Sequence, residues 1–135
     1  MRLLVDTNVW LAGRFGRGLC ADLLDTLIVE SAEILLDERV HGEFHRVARD
    51  KFGVDAETLA ASDVFFQRYT QIIPASDHSI TGIPDPDDAW IIATALSANA
   101  ELFVTGDKAL LALEQVDQLP IVDPRTVYMR LRGLG

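Results

Sequence analysis

Short, wholly apolar runs separated by amphipathic stretches organise this chain. Leu3-Leu4-Val5 leads into Asp6-Thr7-Asn8, and Leu102-Phe103-Val104-Thr105 leads into Gly106-Asp107. Both read as buried strands with a carboxylate just past the C-terminal end. Between them the pattern predicts a helix over about 21–31, a strand over 34–36 and a helix over about 38–52 stopped by Gly53. A further helix over about 56–71 starts behind Asp55, a favoured N-cap residue. A strand at Ile72-Ile73 and a Pro- and Gly-punctuated loop over 74–86, the segment expected to be most mobile, come next. A helix over about 87–98 precedes the second carboxylate-ended strand. A short helix over about 108–113, a strand at Ile121-Val122 and a last helix opened by Asp123-Pro124 complete the order. Strands alternating with helices predict an α/β fold, a parallel sheet of about five strands with helices on both faces. Ligands of such folds sit beyond the carboxyl ends of the strands, at a switch in strand order. Asp6 and Asp107 fall there.

At 135 residues the chain is expected to form one domain over 1–135, and 49% hydrophobic and 24% charged residues are the proportions of a folded core rather than a disordered tract. Apolar runs such as 90–96 are well short of the ~18–20 residues of a membrane span, and no charged segment precedes a signal-like stretch. The expected location is the cytoplasm. Cys20 is the single cysteine and reads as a small hydrophobe. The net charge of -9 argues against a passive nucleic-acid binder, whose surface carries surplus lysine and arginine. It leaves room for an enzyme whose carboxylates gather round a cation.

Four carboxylates stand out. Asp6 and Asp107 are each also natural helix N-caps, but two strands delivering acids to one edge, each beside a hydroxyl, Thr7 or Thr105, point to a shared site. Glu43 stands three residues after Val40 and four before Val47, within or beside the apolar stripe of its helix. An ion pair with Arg39 or Arg46 is its plain alternative. Asp85, Asp87 and Asp88 open the helix over 87–98, where acids are favoured by the helix dipole. Three acids exceed what one cap requires, and Asp88 shares a face with Ile91, Ile92 and Ala95; Asp85 is the reserve. Four carboxylates in one pocket demand a cation or raised pKa values, and all-oxygen ligands favour Mg²⁺ or Mn²⁺. His41 and His45 are four apart on a helix, but no matching ligands are evident; they read as surface or helix-packing residues, and His78 as a loop residue.

Taken in order, Asp6-Thr7-Asn8-Val9, Glu43, Asp88 before Ile91-Ile92-Ala93-Thr94-Ala95, and Thr105-Gly106-Asp107 resemble the PIN-domain family over essentially the whole chain. Asp85-Pro86-Asp87-Asp88 and Val104-Thr105-Gly106-Asp107-Lys108 resemble the VapC-like toxin components of toxin–antitoxin systems in particular. The resemblance implies a three-layer αβα fold and a Mg²⁺- or Mn²⁺-dependent ribonuclease with Asp6, Glu43, Asp88 and Asp107 as ligands. It places Asn8 and Thr105 where they orient those ligands. It further implies a homodimer and a small antitoxin partner covering the site. One departure is Asp37, where many members carry serine at the head of the middle helix.

On this reading the carboxylates hold one or two cations that activate water against an RNA phosphodiester, with no side-chain nucleophile. Arg14 and Arg17, in a Gly-rich loop, and Arg46, Arg49 and Lys51 are the candidate phosphate contacts. Two other classes compete. A receiver-like phosphoacceptor would use an acidic pocket with Thr105 and Lys108, but leaves Glu43 and Asp88 without roles. A noncatalytic PIN fold would bind RNA or an antitoxin without cutting.

Overall fold

A computed structural model describes residues 1–134. At its centre is a six-stranded sheet in the order β3-β2-β1-β4-β6-β5, formed by β1 (Arg2–Val5), β2 (Glu33–Asp37), β3 (Thr70–Ile73), β4 (Leu102–Val104), β5 (Gln115–Val116) and β6 (Leu119–Val122). Five strands are parallel, and β5 pairs antiparallel with β6. The expected five-strand parallel sheet is present, extended by a two-residue edge strand too short to leave a hydrophobic period. Leu3, Leu4 and Val5 are fully buried, as a central parallel strand covered on both faces requires. Leu4 sits opposite Leu35 on one side and Phe103 on the other.

Seven helices cover the sheet: α1 (Thr7–Phe15), α2 (Leu19–Val29), α3 (Glu38–Phe52), α4 (Ala56–Tyr69), α5 (Pro86–Ser97), α6 (Lys108–Leu111) and α7 (Pro124–Leu131). The helix α1 is a correction, since residues 7–15 carry no helix in the sequence pattern and Arg14 was expected in a loop. Gly16 and Gly18 mark the Gly-rich loop in the sequence, whereas Gly13 lies inside the helix at a contact: a Cβ there would lie 2.4 Å from Leu24 Cδ1, so its absence lets α1 approach α2 closely. The helix α4 ends at Tyr69, two residues earlier than the pattern predicts, and β3 begins at Thr70.

Helix α3 buries Val40, Phe44 and Ala48. It ends where Gly53 turns left-handed at φ 62° and the Val54 N–H donates to the Ala48 carbonyl at 3.0 Å. Helix α5 buries Ala89 and every residue from Ile91 to Ala95. Its connection runs from β3 at one edge back across to β4, opposite in direction to the β1-to-β2 and β2-to-β3 crossovers, so the same handedness takes it to the other face. The loop before α5 is held at Ser76, whose N–H donates to Thr94 Oγ1 at 2.9 Å and whose carbonyl accepts from Arg39 at 3.1 Å.

Strand order reverses between β1 and β4. From β1 the chain moves outward through β2 to β3, and from β4 it moves the other way to β6. The carboxyl ends of these two adjacent strands define the crevice where such folds bind ligands.

Candidate active site

Asp6 leaves the end of β1 at the base of that crevice. It is 7% exposed, and its two oxygens are fixed separately: Oδ1 accepts from the Thr7 N–H at 2.8 Å, Oδ2 from the Thr105 hydroxyl at 2.8 Å. The first bond makes it the N-cap of α1, so the plain role and the site role coexist in one side chain. Burial raises its carboxyl above the ordinary aspartate value, the two hydrogen bonds act against that, and the charges of Glu43 and Asp107 raise it again.

Thr105 joins the two strand ends. Fully buried, it donates to Asp6 while its oxygen accepts from the Asp107 N–H at 3.0 Å. Asp107 caps α6 through Oδ1, which accepts from the Ala109 and Leu110 N–H groups at 2.8 and 3.3 Å. Asn8 reaches across from α1, its Oδ1 accepting from the Gly106 N–H at 3.4 Å. The hydroxyl and amide beside the acids thus tie the β1 and β4 ends together.

Glu43 arrives from α3 and Asp88 from the first turn of α5, both half-buried. Asp88 is pushed up to about 7, first by desolvation and then by Asp6, Asp85, Asp107 and Glu43 in turn. Asp85 is the exposed N-cap of α5, its Oδ1 accepting from the Asp87 N–H at 2.9 Å. Glu43 and Asp107 thus act on Asp6, and Asp6, Asp107 and Glu43 act on Asp88, so the four acids share one electrostatic neighbourhood, with no three of them bringing oxygens within 4.8 Å of one another among the described residues. The charges raising Asp88 are all negative, and every donor is a carboxylate oxygen. Such a group suits a hard divalent cation such as Mg²⁺ or Mn²⁺, which would relieve the repulsion that otherwise favours protonation.

A model of the PIN domain matches residues 2–109. The chain belongs to the PIN-domain family. No curated protein sequence matches it. Among solved structures this PIN domain is similar to a chain in the crystal structure of VapBC2 from Rickettsia felis bound to a DNA fragment from their promoter. That similarity has a TM-score of 0.66 at 18% identity, over 91% of this chain and 98% of that one, and it shows the shared three-layer fold.

Within this PIN domain, Asp37 is the N-cap of α3. Its Oδ1 accepts from the Arg39 N–H at 2.6 Å at the head of α3, in a fully buried position. Of the candidate phosphate contacts, Arg17, Arg46, Arg49 and Lys51 are exposed, with Arg49 paired to its neighbour Asp50. Arg14 is half-buried and packed: its guanidinium lies 4.2 Å from the Phe65 ring centroid, and its Nε donates to Ser62 Oγ at 3.4 Å.

His41 and His45 pack between α3 and α4, and the structure adds a partner that the sequence pattern did not show. Asp63 of α4 meets both, with Oδ1 2.8 Å from His41 Nε2 and 2.7 Å from His45 Nε2. The sequence pattern missed this partner because it shows which face of α4 Asp63 occupies but not which helix that face meets. His78 lies in the loop as expected, 2.9 Å from Asp77.

Proposed function

We propose that this PIN domain hydrolyses RNA phosphodiester bonds with bound Mg²⁺ or Mn²⁺ and is the toxin component of a toxin–antitoxin pair. The observation that carries the reading is the grouping of Asp6, Glu43, Asp88 and Asp107 about the strand switch point, where burial first and then the neighbouring carboxylates push Asp88 up to about 7. A carboxylate group assembled only for helix capping has no reason to include Glu43, which lies in mid-helix.

The four acids are the proposed ligands, and a bound cation supplies charge stabilisation at the scissile phosphate. The Thr105 hydroxyl and the Thr7 backbone N–H hold the Asp6 oxygens in fixed directions, whereas the Thr7 hydroxyl, expected to do so, is buried without a hydrogen-bond partner among the described residues; Asn8 holds the Gly106 turn that presents Asp107. Desolvation and the neighbouring carboxylates hold Asp88 up to about 7, and a bound cation would favour its charged form. Asp85 adds negative charge at the rim and fixes the start of α5. Arg17 and Arg46, both exposed, are the proposed contacts to RNA phosphates, with Arg14 supporting from its packed position on Phe65.

An antitoxin partner fits an apolar groove of about 530 Å³ lined by Leu11, Ala12, Phe15, Phe52 and Val54, with Asn8 on its wall. Phe52 is 64% exposed there, and Asn8 links the groove to the acidic crevice, so a segment seated in it would lie against the site. The resemblance to VapC-like toxins, in Asp85-Pro86-Asp87-Asp88 and Val104-Thr105-Gly106-Asp107-Lys108, supports the same pairing and a homodimer. No described helix is long and apolar enough to cross a membrane, and a cytoplasmic location suits an RNA substrate.

The test is cleavage of a mixed RNA pool by purified protein freed of any copurifying partner, in Mg²⁺ or Mn²⁺ and in EDTA. Cutting should require the cation and fall at least 100-fold in Asp6→Ala and Asp88→Ala, with circular dichroism unchanged. Cation-independent cutting, or full activity in both folded variants, rejects the four-carboxylate mechanism. No cutting by partner-free protein in either cation favours a noncatalytic binder.

A further inference from the structure

Helix α3 has two chemically different sides. Glu43 belongs to the acidic crevice. His41 and His45, each two residues away and so about 200° round the helix, lie on the opposite side, toward α4. There the Asp63 carboxylate meets both imidazoles through one oxygen, and the three potential ligand atoms lie within 4.8 Å of one another. The proposed nuclease reaction uses none of these residues.

We propose that His41, His45 and Asp63 form a second metal site, for Zn²⁺ or a similar borderline transition-metal ion, that clasps α3 to α4 and is independent of the carboxylate crevice. Two imidazole nitrogens and one carboxylate are the donor set that such ions prefer, whereas the all-carboxylate crevice suits harder cations. Histidines four apart on one helix present both Nε2 atoms to the same point, and Asp63 supplies the third donor from a second helix.

The rings are held for this by packing. His41 stands edge-on to Phe66 at 5.5 Å, His45 lies 6.1 Å from Phe44, and the two imidazoles meet at 87° with centroids 4.9 Å apart. Phe44 and Phe66 are themselves fully buried, which anchors this arrangement to the core. Tetrahedral coordination with metal–ligand bonds of about 2.0–2.1 Å needs donor atoms roughly 3.3 Å apart. The present nitrogen–oxygen separations of 2.7 and 2.8 Å reach that by a small side-chain rotation. The side chains are 31% and 35% exposed, so water has access to a fourth position and the ion to the site. Without a metal the same atoms form a hydrogen-bonded His-Asp-His bridge, which is the competing state.

The deciding experiment uses the whole chain, stripped with a chelator and titrated with Zn²⁺ by calorimetry, with Co²⁺ absorption as a coordination readout. The background is Asp6→Asn/Asp88→Asn, which disables the crevice. One equivalent should bind in both the wild type and that background, with visible Co²⁺ bands of a four-coordinate nitrogen and oxygen site. Affinity should fall at least 30-fold in His41→Gln and in Asp63→Asn, each checked for native circular dichroism before metal is added. The melting temperature should rise with Zn²⁺ in the crevice double variant and rise much less when Asp63→Asn is added to that same background. Absence of Zn²⁺ binding, binding undiminished in both ligand variants, or binding lost in the crevice double variant instead would overturn the assignment. Because that background removes two of the four proposed nuclease ligands, Asp6 and Asp88, failure of the nuclease reading leaves this result intact.

Discussion

At the residue scale the site depends on Thr105 more than its modest chemistry suggests. One hydroxyl both donates to Asp6 and accepts from the Asp107 N–H, so it couples the ends of two strands 99 residues apart in the chain. Thr105→Val keeps the shape but leaves the Asp107 N–H without its partner and frees Asp6 Oδ2. The expected loss of stability is about 1–3 kcal/mol, read by chemical denaturation. Loss of an orienting partner to a metal ligand typically costs 10- to 100-fold, so RNA cleavage should fall by that range, and Thr105→Ser should recover most of it. Equal activity in Thr105→Val would show that Asp6 is oriented by Thr7 alone. Asp37 offers a second test. Its Oδ1 caps α3, but its buried Oδ2 has no hydrogen-bond partner among the described residues. Asp37→Ala should cost about 1 kcal/mol through loss of the cap. Asp37→Ser keeps a capping oxygen without the orphaned one, so it should melt at or above the wild-type temperature.

Among the elements, those that deliver the four acids were legible because each has a local signature. The strands β1 and β4 hold the apolar runs Leu3-Leu4-Val5 and Leu102-Phe103-Val104, leading into Asp6 and into Thr105-Gly106-Asp107, α3 has a 3.6-residue stripe ended by Gly53, and α5 opens on a run of acids. The caps Asp55 and Asp123 were equally readable, and each accepts from the N–H of the residue three positions on. What escaped was set by contacts between elements. Helix α1 was hidden because Gly13, which elsewhere signals a turn, serves here for close approach to Leu24. With the helix hidden, Arg14 read as a loop residue free for phosphate, whereas it lies against Phe65. Asp63 was overlooked for a similar reason: its meeting with His41 and His45 is fixed by how α4 docks on α3, and periodicity within one helix carries no record of its neighbour. The convergence of Glu43 on Asp6 is equally non-local, and only the resemblance to a known family drew those two residues together in advance.

For the whole molecule, a net charge of -9 and a crevice of like charges make stability and cation binding two sides of one balance. Asp88 is held near 7 in the fold against 3.8 for a free aspartate. Between those values the folded chain keeps a proton that the unfolded chain has released. Stability from this group therefore falls as pH rises through that window, is unaffected below it, and stays at its reduced level above about 7. Because Asp88 is partly exposed, solvent screening limits the effect to about 1 kcal/mol, or roughly 3–5 °C for a chain of this size. Asp88→Asn stays neutral throughout and removes the slope. With the protein free of metal, the variant should melt a few degrees above the wild type at pH 8 and within a degree of it at pH 4, other carboxylates contributing equally to both. Mn²⁺ at pH 8 should then raise the wild-type melting temperature more than that of Asp88→Asn, and this gain should shrink toward pH 5 as protons compete for the same oxygens. Parallel pH curves for the two proteins, with Mn²⁺ shifting both alike, would mean that Asp88 stands apart from the cation site and that the crevice is built from the other three acids.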